Sequence, residues 1–548
     1  MTRVRAFRTF LALLLAATLV SYPSHAQNDS RMRERWLFIF KDVTNAQQVD
    51  KMIALFPRAK ADGYNGIALS YNVAPEKAAE VRQAAKANGL KIVAMVMGGA
   101  HDRNYEEGLP VKDALYLTHD FIATFQPDNP THVANGDFEN VNGNHFSGWS
   151  WQDNEGVTTF ADHDVVHSGK TSLRMEGFTK NDGNHDRVSQ TIKLQPYRQY
   201  KISFWIKTQG LAPAEPEIKV LTADGSAAIS YQTFQVDATQ DWKHYDLSFN
   251  SLENTSAILY AGTWNGKDGK MWWDDLSVDE IGLVNVMRRA GCPVTVKGED
   301  GTVFEEGRDY RKIVDPELHP WIAFHDQPII HLLAGTRIKD GQRLRVSYYH
   351  PVLVYDRITS CISEPEIFKE WRDEVQAANE RLQPAAFMMQ HDEMRVMNQC
   401  ASCRAMNMTA GQLLAWNLKK SAQIIRDLRP DAQIWVWSDM FDPTHNAHDH
   451  YYLVRGTLAG SWEGLRGQNI GVVNWNGGAG AKSSKFFADL GVKQVLSGYY
   501  DGDSDGSAIA KWEADTAAMP GVVGAMYTTW TDNYDPMDVW AKKAWGSR

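Results

Sequence analysis

Two adjacent carboxylates, Asp392 and Glu393, follow the apolar run Ala385–Met389 and precede Arg395. Neighbouring carboxylates push each other's proton affinities apart, so one stays ionised while the other holds a proton. Cleavage of a glycosidic bond needs that division of labour. The plain structural alternative is a helix cap, or a salt bridge to Arg395. The groups that end the other apolar runs favour chemistry. Tyr71 closes one run, His391 sits beside the dyad, and Trp437 and Asp439 close another. Asn474 and Trp475, then Tyr499, Tyr500 and Asp501, then Trp530 close three more. Carboxylates, amides and indoles suit a neutral ligand rich in hydroxyls. There is no Gly-rich phosphate cradle and no lysine placed for a Schiff base. Asp392 and Glu393 are therefore the candidate catalytic pair. Tyr71, His391, Arg395, Trp437, Asp439, Asn474, Trp475, Tyr500 and Trp530 are candidate substrate-binding residues.

Eight apolar runs must carry these groups. They are Trp36–Val43, Tyr64–Tyr71, Leu90–Met97, Ala385–Glu393, Ala432–Asp439, Asn469–Trp475, Val492–Tyr500 and Gly521–Trp530. Each is short and followed by helical spacing or an insertion, which predicts an α/β (β/α)8 TIM barrel. Its two parts are expected at 30–100 and 361–548. Between strand three and its helix the spacing turns to short alternating segments with Gly, Asn and Asp turns. That predicts an all-β insertion: a β-sandwich at 129–281 and a small β-rich piece at 282–356. The insertion leaves from the C-terminal end of a barrel strand, the face on which barrel active sites are built. Strand three itself leads to His101 and Asp102.

The chain has 548 residues and a formal net charge of -10. An acidic chain without a basic stripe argues against nucleic acid as a partner. Nineteen tryptophans offer flat faces for sugar rings. Arg3, Arg5 and Arg8, an apolar stretch, and Ser24-His25-Ala26 predict a signal peptide over 1–26, cleaved near Ala26. The expected location is secreted or periplasmic, with no membrane anchor. Such a compartment permits disulfides among Cys292, Cys361, Cys400 and Cys403. Cys400-Ala-Ser-Cys403 is compatible with a local disulfide, half a zinc site or a redox pair, and the disulfide is preferred. His445, His448 and His450 form either a metal cluster or a polar, solvated loop.

The Asp-Glu dyad on strand four resembles that of the family-20 glycoside hydrolases, the retaining β-N-acetylhexosaminidases. So do Trp437, Trp475 and Trp530 on strands five, six and eight, and Tyr500 on strand seven. The resemblance implies substrate-assisted catalysis, in which the sugar's 2-acetamido oxygen attacks the anomeric carbon. It assigns Asp392 to orienting the amide and Glu393 to protonating the leaving oxygen and activating water. The indoles would box the sugar, and Tyr500 would bond the acetamide oxygen. Two departures are Gln390-His391, where the family has Gly-Gly, and Lys41-Asp42 in place of a sugar-gripping arginine on strand one.

Asn135 to Glu139, Gly148-Trp149 and Trp272-Trp273-Asp274-Asp275 resemble carbohydrate-binding modules of the family 4, 9, 16 and 22 type, which are β-jelly-rolls. The resemblance implies a structural Ca2+ on Asp137, Glu139 and Asp275 and no cofactor for catalysis. Trp151 and Trp264 are the candidate sugar platforms. Together these readings predict an exported glycoside hydrolase with a glycan as its partner. The alternatives are a non-catalytic polysaccharide-binding protein and a barrel glycosidase of another mechanism, pairing Glu393 with Asp439 or Asp501.

Overall fold

The computed structural model describes residues 31–98 and 104–546. The expected leader over 1–26, and His101 and Asp102, lie outside the described residues. Eight parallel strands close into a barrel. They are β1 (Glu34–Phe38), β2 (Gly66–Ser70), β3 (Lys91–Val96), β4 (Ala386–Met389), β5 (Gln433–Trp437), β6 (Ile470–Asn474), β7 (Gln494–Leu496) and β8 (Val522–Tyr527). The ring closes where Glu34 of β1 lies opposite Gly524 of β8.

Among the described residues, seven helices surround it: α1 (Ala46–Ala61), α2 (Ala78–Ala87), α3 (Pro365–Leu382), α4 (Ala410–Leu428), α5 (Gly480–Asp489), α6 (Ser507–Thr516) and α7 (Met537–Trp545). Local chemistry starts several of them. Asn45 accepts from the amides of Gln47 and Gln48 at the head of α1, and Thr409 with Gln412 forms a capping box on α4. α3 opens on Pro365, with Glu364 in the N-cap position. Between β5 and β6 the described chain forms 3-10 turns at Asp439–Phe441 and Ser461–Gly464 in place of an α-helix.

Side chains alternate across the barrel wall with the period of two that strands impose. Trp36, Phe38, Met388, Trp435, Trp437 and Met526 fill the interior. Leu37, Ile67, Phe387, Val436 and Tyr527 pack outward under the helices. Trp36 and Trp435 meet edge to face, with centroids 5.1 Å apart. Glycines on the neighbouring strands make room for them. A Cβ at Gly66 would lie 2.6 Å from the Trp36 ring, and one at Gly471 would press into Trp435. Gly471→Ala is therefore expected to cost about 1–3 kcal/mol by overpacking. Calorimetry checks this, and an unchanged barrel transition would contradict it.

The insertion leaves after β3 and returns before α3. Its largest part is a sandwich of two five-stranded antiparallel sheets. One is ordered 240–250, 199–212, 268–281, 172–176, 159–162. The other is ordered 228–233, 217–222, 256–263, 186–193, 151–152. Phe138, Phe204, Trp273 and Met271 lie in the core between them.

A six-stranded sheet joins this sandwich to the barrel, and here the structure corrects the boundary drawn at 282–356. The sheet takes Leu109–His119 and Ile122–Phe125 from before the sandwich and its other four strands from after it. Its longest pairing sets Leu109–His119 against Arg343–His350. The sandwich is thus an insertion within an insertion. A register shift between Val346 and Tyr348 explains why the alternation was hard to see. Opposite it, Asp113 takes a left-handed φ of 54° and breaks the period of two. The two ends of the insertion run side by side. The Glu107 amide donates to Thr359 O at 2.7 Å, and the Cys361 amide donates to Tyr105 O at 2.7 Å.

Candidate active site

Strand alternation divides the expected site residues into two sets. Tyr71, His391, Asn474 and Tyr500 lie on the outward side of the barrel wall, so they are corrected from site residues to packing residues. Tyr71 packs against the layer between strands and helices. His391 is buried, with Nε2 2.8 Å from Asn417 Oδ1 on α4. Burial pushes its pKa down to about 4, so the ring is neutral. Asn474 donates to Ser483 Oγ at 2.9 Å and Gln494 Oε1 at 3.1 Å. Tyr500 is buried against Tyr527 and Trp540. All four sit near strand ends, yet their parity points them at helices.

Asp392, Trp437, Asp439 and Trp475 have the opposite parity and gather at the mouth. Asp439 is fully buried. Its Oδ2 accepts from the Glu393 amide and from Asn446 Nδ2, each at 2.9 Å, and its Oδ1 from Trp475 Nε1 at 3.4 Å. Asp392 shares a hydrogen bond with Asp439. Burial pushes the Asp392 carboxyl well above the carboxylate range. The Asp439 and Glu393 charges push it the same way, and Arg357 only partly opposes them. Burial also raises Asp439, but the donors turned toward it favour its charged form. Both carboxyls are thus pushed toward the protonated form, and the two titrate as a pair.

Glu393 adopts a left-handed φ of 43°. That conformation turns its carboxylate into a clamp. Arg395 Nη2 donates to Oε1 at 2.8 Å and Arg357 Nη2 to Oε2 at 3.3 Å. Arg395 is itself buried, holds Asp356 at 2.8 Å, and lies over the rings of Tyr355 and Tyr452. Each oxygen of Glu393 thus accepts from a guanidinium group. Arg395 serves this clamp and is closed off from a sugar. Arg357, which also lies 3.7 Å from Asp392, comes from the returning end of the insertion. No sequence signal marked it, because nothing in its neighbourhood tells that it returns to β4. Asp392 and Glu393 border a cleft of about 70 Å3, lined also by Trp371, His391 and Ser360.

The indoles form the rim. Trp530 is 36% exposed. It packs over Phe38 and Phe40 and lies 6.3 Å from Trp437. Trp475 is half-buried against His445 at 4.2 Å. Asp501 fixes the Trp530 loop. Its carboxylate accepts from Thr529 Oγ1 at 2.5 Å, Thr531 Oγ1 at 2.6 Å and the Trp530 amide at 2.7 Å. Partial burial would raise its pKa, but these donors outweigh it and leave the value lowered. Asp501→Ala is expected to cost about 1–2 kcal/mol and to speed proteolysis at 529–533. An unaltered cleavage rate there would refute the bracing role.

His445, His448 and His450 do not converge on a metal. His445 packs on Trp475 and His448 on Tyr451, and none of them joins a metal-ligating group among the described residues. Asp137 is exposed. Glu139 Oε1 accepts from the Lys170 and Thr171 amides, and Asp275 bonds His167 and Ser168. The three carboxylates form no common group within 4.8 Å.

On the sandwich, Trp151 is 55% exposed, with Nε1 bonded to Asp153. Lys219 Nζ sits 3.5 Å above the Trp264 ring. Lys219 also lies over Tyr231, whose ring meets Tyr355 at 4.8 Å. The Tyr355 amide donates to Tyr231 O at 2.6 Å. The sheet bearing Tyr231 and Lys219 is thereby joined to the Arg395 clamp at the barrel mouth.

Residues 131–267 match the family model described as a carbohydrate binding domain, CBM4/9. The match lies within the sandwich, reaches no barrel strand, and supports glycan binding by this part of the chain. Solved structures similar to the chain include three such modules. One, titled CBM4 structure and function, is 19% identical, covers 27% of this chain and 100% of its own, with TM-score 0.22. A second is a CBM61 module in complex with β-1,4-galactotriose, 16% identical, covering 28% and 100%, with TM-score 0.22. A third is the CBM22-1 xylan-binding domain of Paenibacillus barcinonensis Xyn10C, 19% identical, covering 28% and 97%, with TM-score 0.20. No curated protein matches the chain.

Proposed function

We propose that this chain is an exported glycoside hydrolase with a (β/α)8 barrel of the TIM type. It holds a glycan on its inserted module and cleaves it at the barrel mouth. Export rests on the leader read in the sequence. The carrying observation for cleavage is Asp392 set close to the fully buried Asp439, whose Oδ1 accepts from Trp475 Nε1, at the end of the barrel where Trp437 and Trp530 also meet. In this reading Asp392 is the acid. It gives its proton to the glycosidic oxygen as the bond to the anomeric carbon breaks. The positive charge developing on the sugar is answered by the Asp392 and Asp439 carboxylates, while Arg357 limits their repulsion.

With both Glu393 oxygens engaged, the electron pair for the anomeric carbon comes from the substrate. A 2-acetamido oxygen supplies it, which is the route the family-20 resemblance suggests. Water then attacks the same carbon and returns a proton to Asp392. The indoles cover the apolar face of the ring. A second reading, a barrel that binds glycan without cutting it, is favoured by the clamped Glu393.

The test is a panel of N-acetylhexosaminides, plain hexosides and polysaccharides, with binding and product release measured on the same glycans. Turnover that is abolished by Asp392→Asn and blocked by a thiazoline supports the proposal. Binding without products across the panel selects the second reading.

A further inference from the structure

Three of the four cysteines meet one carboxylate where the insertion joins the barrel. Cys361 Sγ lies 3.6 Å from Cys400 Sγ and 3.7 Å from Cys403 Sγ. Glu107 Oε2 lies 3.4 Å from Cys403 Sγ. All four residues are buried, and their ligand atoms lie within 4.8 Å of one another. No pair is bonded; all four cysteines of the chain are free thiols. A disulfide would need about 2.05 Å, and three sulfurs around one carboxylate cannot all pair. A tetrahedral zinc ion with Zn–S bonds of about 2.3 Å separates its sulfurs by about 3.8 Å. With a Zn–O bond of about 2.0 Å, the sulfur–oxygen edge is about 3.5 Å. The observed spacings match both edges.

The surroundings are those of a metal site. Cys400 Sγ accepts the Cys403 amide at 3.5 Å, which aims the first sulfur of the Cys-x-x-Cys turn inward. The other oxygen of Glu107, Oε1, accepts the amides of Gln399 and Cys400, each at 2.7 Å, which leaves Oε2 turned to the sulfurs. Three thiolates and a carboxylate around Zn2+ leave a local charge of -2. Arg289 stands against it, with Nη1 3.9 Å from Cys400 Sγ and 2.8 Å from Glu364. Cys292, the fourth cysteine, is not part of the group.

We propose that Glu107, Cys361, Cys400 and Cys403 form a structural zinc site that locks both ends of the insertion to the loop after β4. Four protein ligands leave no open position, so the ion is structural. Binding releases the thiol protons to solvent and forms three Zn–S bonds and one Zn–O bond. Glu107 and Cys361 belong to the outgoing and returning segments of the insertion, which run side by side. Cys400 caps the short helix Ala401–Ala405 and Cys403 lies in its first turn; this helix follows the segment carrying Glu393 and Arg395. The ion therefore sets the insertion's position relative to the mouth.

The experiment is elemental analysis of the full chain produced with zinc in the medium. Parallel samples carry Cys361→Ser with Cys403→Ser, Glu107→Gln, and Cys292→Ser as the control. The wild type and the control are expected to hold about one zinc per chain. The double cysteine variant is expected to hold less than about a tenth of that, and Glu107→Gln to bind zinc about 10–100-fold more weakly. Cobalt exchanged into the wild type should give a thiolate charge-transfer band and intense tetrahedral visible bands. If the variants fail to fold, the wild-type metal content and cobalt spectrum decide alone. Wild type free of zinc with four titratable thiols, a disulfide among Cys361, Cys400 and Cys403, or full zinc in the double variant would overturn the proposal.

Discussion

Asp392→Asn is expected to lower turnover on any cleaved glycan by about 10²–10⁴-fold, the usual worth of a positioned proton donor. Folding should be unharmed, because the asparagine amide still donates to Asp439. The pH dependence gives the sharper signature. Asp392 holds its proton in the folded chain well above the ordinary value of 3.8. The folded state therefore binds more protons than the unfolded state between that value and the raised one. The stability this contributes is full below 3.8 and is lost as pH rises through the raised value. Asp392→Asn removes that loss, so the variant should melt at the same or a higher temperature than wild type at pH 8. Its melting profile should be flatter across the acid-to-neutral range. Wild-type turnover should fall along the same alkaline limb as Asp392 deprotonates. If the variant is destabilised at pH 8, or turnover persists, Asp392 is not the proton carrier.

Arg395→Met carries the second large effect, this time on stability. The change strands Glu393 Oε1, Asp356 and the Val354 carbonyl, all of which Arg395 now satisfies. Removing one partner of a buried ion pair costs about 3–5 kcal/mol. Glu393 retains 24% of its side-chain exposure, and water offsets part of that loss. A cost of about 2–4 kcal/mol is expected on the barrel transition. Arg395→Met combined with Glu393→Gln should recover part of it, because the orphaned charge is gone. Equal costs for the single and double variants would mean that the clamp works through packing on Tyr355 and Tyr452 alone.

The two effects rest on residues of different legibility. The strands were readable because short apolar runs rich in β-formers must be buried, and helices with their caps recur between them. Asn45 and Thr409 announce their helices by side-chain chemistry that needs no tertiary partner. Asp392, Asp439 and the three tryptophans were legible as residues of the mouth because strand ends deliver side chains there. Tyr71, His391, Asn474 and Tyr500 were misplaced because the end of a strand names a height on the barrel, while the side depends on parity. The runs continue the alternation past their last hydrogen bond. His391 beside Asp392, and Asn474 beside Trp475, face opposite ways. The small β-rich piece was cut short at its front edge because the bulge at Asp113 hid the period of Leu109–His119.

Short-range physics thus settled which segments form strands and helices, where the β insertion interrupts them, and which end of the barrel carries acids and indoles. Those properties follow from backbone period, capping and turn chemistry within a dozen or so residues. Only the folded chain decided which carboxylates are brought together, which is held in a clamp, and which cysteines face Glu107. Arg357 reaches Glu393 across 36 positions of sequence, and Glu107 reaches Cys403 across 296. Proton affinity and metal geometry depend on distances of a few ångströms between such remote groups, and no local pattern encodes those distances.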